Sequence, residues 1–186
     1  MSSASAGGDA PSFADVILKY LEALGVEYIF GVPGGAIEPL YNSLAKTGRN
    51  GGIKAIVARH ECGAAFMADG YARETGKLGV VCSTTGPGAT NLITGVASAH
   101  SDRVPMLVIT AQTPLPKFGR KSLQDSSCAA IDVVSMFRHC TSFNTLVSHP
   151  QQVENKLISA LMTALRTPKG TAHISIPSDI LRAKVY

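Results

Sequence analysis

The chain has 186 residues, 45% of them apolar and 16% charged, a balance typical of one domain that buries a large core without metal or disulfide staples. Its net charge of +4 comes from scattered Lys and Arg, and the one local cluster, Lys117, Arg120 and Lys121, has no interleaved aromatic residues beside it. These features argue against nucleic-acid binding, and the lack of a long apolar run argues against a membrane span.

The first elements in chain order are a tail and a helix. Residues 1–11 have neither the basic nor the apolar region of a signal peptide, and we predict a disordered tail. Ser12, with Asp15 three residues later, resembles a capping box and predicts the start of the first helix. Residues 183–186 look like the start of a linker, so the predicted domain covers residues 12–182.

Strand and helix patterns alternate through the rest of the chain. The apolar or β-branched runs predict strands at 28–32, 53–58, 79–84, 105–110, 140–143 and 172–176. The helical patterns lie at about 36–47, 61–75, 90–100, 126–137 and 151–166, the last opened by Ser148. This alternation predicts the α/β class, with a mainly parallel six-stranded sheet between two helical layers, a three-layer αβα arrangement.

Glycine and proline crowd the loops after the first and third strands, Val32-Pro33-Gly34-Gly35 and residues 84–88. Ligands of parallel sheets bind beyond the carboxyl ends of the strands, where these loops lie. Glycine lets a flat ligand approach the backbone closely. Neither loop has the G-x-G-x-x-G or Walker pattern, which argues against a conventional nucleotide-phosphate site.

Glu61 heads a helical pattern of mostly small and apolar residues. An exposed carboxylate there would only interact with the helix dipole, a contribution under about 1 kcal/mol. A poorly solvated one would instead have a proton affinity suited to catalysis. We interpret the neighbouring His60 as structural, and Asn91 either caps its helix or faces a ligand.

The number and spacing of the cysteines indicate whether the protein works in a reducing or an oxidising cellular compartment. The four cysteines have neither metal-ligand spacing nor a secreted disulfide pattern: Cys62, Cys82, Cys128 and Cys140. We expect small core residues in a reducing, cytoplasmic environment.

Four blocks of sequence, in order and suitably spaced, resemble one known family: residues 28–48, 58–76, 83–97 and 171–180. They resemble the N-terminal, pyrimidine-binding (PYR) domain of thiamine diphosphate-dependent enzymes, most nearly that of the acetolactate synthase catalytic subunit. The resemblance implies that Glu61 hydrogen-bonds N1′ of the cofactor's aminopyrimidine and so helps remove the proton from the thiazolium C2. The bound cofactor then acts as an electron sink for decarboxylation of a 2-oxo acid such as pyruvate, followed by carboligation.

The resemblance also assigns other positions. Pro33 and Gly34 would line the pocket beside the thiazolium, and Gly35 would offer a backbone contact. The residues expected to border the pyrimidine are Thr84, Pro87 and Asn91. Gln124 matches the glutamine of a Phe-Gln-Glu segment near the substrate, where it would act in catalysis. This chain has Leu123 and Asp125 in place of the Phe and Glu, which leaves the choice of substrate open.

Further expectations concern protein beyond this domain. In the family, a second domain holds the diphosphate through Mg²⁺. The members that bind FAD hold it mostly in a middle domain. Two subunits share each active site. The resemblance thus implies a homodimer or homotetramer, and a domain that is inactive alone. Two alternatives are a non-catalytic binding or regulatory module with the same fold, and an unrelated nucleotide-binding α/β domain.

Overall fold

A central sheet of six strands organises the computed structural model, which describes residues 10–185. The strands are β1 (Tyr28–Gly31), β2 (Lys54–Val57), β3 (Gly79–Ser83), β4 (Met106–Gln112), β5 (Phe143–Leu146) and β6 (Thr171–Pro177). Every neighbouring pair is parallel, in the order β2-β1-β3-β4-β6-β5. The central strands β3, β4 and β6 are buried along their whole length, which explains their continuous apolar runs.

Helices cover both faces of the sheet. They are α1 (Phe13–Ala23), α2 (Glu38–Arg49), α3 (Glu61–Thr75), α4 (Pro87–Asn91), α5 (Ile93–Ser101), α6 (Val133–Phe137), α7 (Val153–Leu165) and α8 (Ser178–Arg182). One apolar core joins the sheet to α1, α2, α7 and α8, and a second joins its other face to α3, α4, α5 and α6. Alternate strand residues serve the two cores, as Val80 and Val81 do. The predicted α/β class and three-layer arrangement are confirmed.

The beginning and end of the described chain lie together. The predicted capping box is present, because Ser12 Oγ accepts from the Asp15 amide (3.2 Å) while Asp15 Oδ2 accepts from the Ser12 amide (2.8 Å). The Val185 amide donates to the Pro11 carbonyl (2.9 Å), so residues 183–185 pack beside the start of the domain. A linker beginning at 183 stays a prediction, and most of the predicted tail, residues 1–9, lies outside the described residues.

Three predicted elements were wrong in extent. The helix expected at 90–100 begins at Pro87 and breaks at Leu92 into α4 and α5. The helix expected at 126–137 is reduced to α6, because polar side chains in residues 125–127 bond to backbone and to other loops instead of allowing a continuous helix. The strand expected at 140–143 is β5, since the first residues of that range close the turn after α6.

Smaller corrections concern single residues. His149, not Ser148, caps the turn that leads into α7, with its Nδ1 accepting from the Gln151 amide (3.2 Å). Cys82 and Cys140 are buried as expected, whereas Cys128 is exposed and Cys62 half-buried.

Among the helices of residues 10–185, none combines the length and apolarity needed to cross a membrane.

Candidate functional site at the carboxyl edge of the sheet

Glu61 is the first residue of α3 and is buried, with 9% of its surface exposed. Its Oε2 accepts a hydrogen bond from Asn91 Nδ2 (3.0 Å), at the end of α4. Asn91 therefore faces the carboxylate, and this contact joins two residues that sequence reasoning had singled out separately. His60 has the structural role predicted for it, because its Nδ1 caps α3 by accepting from the Cys62 amide (3.1 Å).

The second carboxylate oxygen of Glu61 lies next to a glycine. A Cβ placed on Gly88 would come within 3.2 Å of Glu61 Oε1 and 2.7 Å of Thr84 Cγ2. A Cβ on Gly34 would come within 2.6 Å of Thr84 Cβ. Any side chain at either glycine would therefore collide with Thr84, so these glycines allow the loops after β1 and β3 to approach closely. Together Glu61, Asn91, Thr84, Gly34 and Gly88 form what we call the rim cradle.

The loop after β1 forms one wall of a shallow pocket lined by Pro33, Gly34, Gly35, Glu38 and Tyr41. The Tyr41 hydroxyl is buried beside the Cys82 thiol, and among the described residues it has no hydrogen-bond partner. Burial raises the pKa of Tyr41 above its usual value, so the hydroxyl stays protonated. Sequence reasoning missed Tyr41, because its position reads as an ordinary helical packing residue.

Gln124 lies beside the loop that follows β3. A Cβ on Gly86 would come within 2.7 Å of Gln124 Cβ, and the Gln124 carbonyl accepts from Thr85 Oγ1 (2.9 Å). Gln124 is exposed and has a left-handed backbone, with φ of +54°. Pro87, the first residue of α4, is also exposed between this point and the rim cradle. All eight predicted site residues therefore lie along the carboxyl edge of β1, β2, β3 and β4.

A buried polar network below Gln124 was not predicted. Gln112 Oε1, at the end of β4, accepts from Ser126 Oγ (2.8 Å), and Thr85 Oγ1 contacts both Ser126 Oγ and Gln112 Oε1 (3.4 Å to the latter). The Gln112 Nε2 is buried and has no partner in the described part of the chain. A polar residue ending an otherwise apolar strand was the signal available in the sequence.

Metal ligands are not gathered at this edge. Within residues 10–185 there is no group of three or more His, Cys, Asp or Glu side chains placed to hold a metal ion. The Mg²⁺ site was expected in another domain, and that expectation stays a prediction.

Comparison with known proteins identifies the family. The family described as "Thiamine pyrophosphate enzyme, N-terminal TPP binding domain" matches residues 11–136. The chain belongs to this family. The match covers α1 to α5 and all but the last residue of α6, and it includes every residue of the rim cradle. The three-layer architecture is that of the PYR fold.

The similar proteins are acetolactate synthases. The chain is 39% identical over 172 residues to the acetolactate synthase of Arthrospira platensis, covering 92% of this chain and 29% of that protein. It is 40% identical over 167 residues to the acetolactate synthase isozyme 2 large subunit of Escherichia coli K12, covering 90% and 29%. A probable large subunit from Methanocaldococcus jannaschii is 39% identical over 167 residues, covering 90% and 27%. The chain thus spans less than a third of the length of these curated relatives.

Proposed function

We propose that this chain is the pyrimidine-binding part of an acetolactate synthase-like enzyme that joins 2-oxo acids, pyruvate among them, after decarboxylation. The observation that carries the proposal is the arrangement of Glu61, which is buried, held at Oε2 by Asn91, and approached closely at Oε1 by the backbone of Gly88. The similarity to acetolactate synthases supports the choice of reaction class.

The rim cradle fits the aminopyrimidine of thiamine diphosphate. Gly34 and Gly88 bring the backbone of both loops close to Thr84, and glycine lets a flat heteroaromatic ring approach the backbone. Glu61 supplies a carboxylate of the kind that hydrogen-bonds a ring nitrogen. When bound, the cofactor supplies an electron sink for decarboxylation of a 2-oxo acid and for the carbon–carbon bond that follows.

The residues of this chain have separable tasks in that scheme. Asn91 fixes the Glu61 carboxylate by donating to Oε2, which leaves Oε1 to hold a shared proton with the ring nitrogen. The low exposure of Glu61 keeps competing water away from that proton. Gln124, beside Gly86, would position the second reactant, and Pro33 and Gly35 would shape the adjoining wall.

The remaining components of the enzyme are part of the same proposal. A separate domain would hold the diphosphate through Mg²⁺, FAD would bind elsewhere in the whole protein, and the PYR domain would form a homodimer or homotetramer. The isolated domain would then be inactive, and the protein would act in the cytoplasm. The family match displaces the alternative of an unrelated nucleotide-binding domain.

Exchange of the cofactor's C2 proton tests the role of Glu61 directly. In the full-length gene product with thiamine diphosphate and Mg²⁺, Glu61→Gln should slow this exchange by at least about a hundredfold, the range expected for loss of a positioned acid–base group. Exchange is followed by NMR after dilution into deuterium oxide and quenching. Glu74→Gln, an exposed substitution on the same α3 helix, is the matched control and should exchange at the native rate.

Two other results would count against the proposal. Native exchange in Glu61→Gln would remove the carboxylate from the reaction. Failure of the unaltered protein to bind thiamine diphosphate would favour the non-catalytic module that keeps only the fold.

A further inference from the structure

A second cleft lies at the opposite edge of the sheet from the rim cradle. It has a volume of about 470 Å³, and its lining includes His100, Arg103, Ser142, Arg166 and Lys169. These residues surround the amino ends of β4, β5 and β6, where Met106 pairs with Thr171 and Phe143 with Ala172. Because β4 and β6 are seven residues long, the cleft lies about 20 Å from the loops at their carboxyl ends.

The cleft is strongly cationic. Arg103, Arg166 and Lys169 line it, and no Asp or Glu is among its described lining residues. None of the three cations makes an ion pair in residues 10–185. The nearby Asp102 is already engaged, because its carboxylate accepts from Arg73 Nη2 (2.7 Å).

Favourable interaction with helix C-termini explains the position of only some of these cations. Arg166 ends α7 and Arg103 follows α5, and a cation near a helix C-terminus is favoured by the helix dipole. Lys169 has no such role, because it lies in the connection between α7 and β6. Arg103 also has a left-handed φ of +55°, a conformation that costs an arginine more than a glycine. The three cations come from two segments, the connection after α5 and the connection between α7 and β6. Like charges that line one cleft repel one another, and an anion between them relieves this repulsion.

We propose that this cleft binds a small phosphate-bearing anion, at a site separate from the rim cradle. Two guanidinium groups and an ammonium offer the many N–H donors and the charge that a phosphate dianion requires. The exposed Ser142 hydroxyl, which also lines the cleft, adds a further donor. The volume also suits a small ligand, for which pockets of about 300 to 1,000 Å³ are usual.

Calorimetry with inorganic phosphate tests the site. The full-length gene product is first saturated with thiamine diphosphate and excess Mg²⁺, so that phosphate does not report on the cofactor site. Arg103→Gln combined with Arg166→Gln should weaken phosphate binding at least tenfold, and Lys169→Gln alone should weaken it severalfold. The matched control removes two charges elsewhere: Lys19→Gln on α1 combined with Arg49→Gln, which alters the last residue of α2. This control should bind phosphate as the unaltered protein does.

The alternatives give different results. Equal phosphate affinity in the cleft variants and the control would overturn the proposal, as would no phosphate binding by the unaltered protein. Succinate binding as tightly as phosphate, with the same loss in the cleft variants, would replace the phosphate class with a dicarboxylate. A change in oligomeric state of the double variant, seen by sedimentation without any phosphate binding, would assign the cleft to an acidic protein surface instead.

Discussion

His173, in the middle of β6, is a fully buried histidine outside the candidate site. Its ring stacks on Phe137 with centroids 4.1 Å apart. Nδ1 contacts Asn144 Oδ1 (2.6 Å), an acceptor, so Nδ1 carries the proton and Nε2 accepts from the Thr110 hydroxyl (2.8 Å). The neutral ring is thus satisfied on both sides, and burial lowers the pKa of His173 to about 3.

This lowered pKa predicts an acid-dependent loss of stability. An unfolded histidine titrates near 6.5, so its stabilising contribution is complete above that pH and declines as the pH falls toward 3. Between pH 7 and pH 5 the unaltered chain should lose about 2 kcal/mol more unfolding free energy than His173→Gln does. Urea unfolding at both pH values measures the difference, and the other histidines cancel because both proteins contain them. Equal losses in the two proteins would contradict the prediction.

At the scale of elements, the loop after β4 is organised by one carboxylate. Asp125 Oδ1 accepts from the Ser127 amide (3.0 Å) and the Thr113 hydroxyl (3.2 Å), and Oδ2 accepts from the Gly119 amide (3.0 Å). Asp125 therefore bonds within its own loop. Its neighbour Leu123 is 87% exposed. Asp125 thus holds the loop that carries Gln124.

Removing that carboxylate should loosen the loop. Asp125→Ala leaves three donors without their acceptor and should cost about 1 to 3 kcal/mol of stability. The same loop contains Lys117, Arg120 and Lys121, so trypsin reports on its opening. Cleavage there, located by mass spectrometry, should be at least tenfold faster in Asp125→Ala than in the unaltered chain.

Asp132→Ala is the control for this experiment. Asp132 caps α6 by accepting a hydrogen bond from the Ser135 amide (3.1 Å). Asp132→Ala therefore removes a local hydrogen bond comparable to those of Asp125, but outside the loop. Unchanged cleavage in Asp125→Ala, or equally fast cleavage in Asp132→Ala, would show that the carboxylate does not hold the loop closed.

At the scale of the whole molecule, the outer side of α3 is apolar and open. Phe66 is 45% and Met67 47% exposed, on the same helix that begins with Glu61. Gly63 and Gly70 leave open space beside them. A flat apolar surface next to the rim cradle suits a second copy of the chain, as the proposed homodimer requires.

Disrupting this surface should weaken self-association. Phe66→Asp places a charge in a contact that excludes water and should raise the dimer dissociation constant at least tenfold in the full-length gene product. Sedimentation velocity over a range of concentrations measures it. Leu24→Asp, a similarly exposed apolar position after α1, is the control and should associate normally. An unchanged dissociation constant in Phe66→Asp would exclude this side of α3 as the interface.

Local patterns in the sequence determined much of this architecture. Apolar or β-branched runs identified the six strands and 3.6-residue periods most of the helices, because each signal depends on residues that are neighbours in the chain. The Ser12–Asp15 capping box and the position of Glu61 at the head of α3 follow from equally short spacings. Where side chains bonded to distant loops instead, as in residues 125–127, the local pattern predicted the wrong element.

Only the tertiary structure decided which side chains meet. Asn91 reaches Glu61 across 30 positions of sequence, and Gln112 accepts from Ser126 across 14. The cationic cleft collects residues between His100 and Lys169 from three connections. The sequence by itself determined that a carboxylate and two glycine-rich loops would lie at the ligand-binding edge. Their contacts depend on strand order and on packing in two cores, which no local spacing encodes.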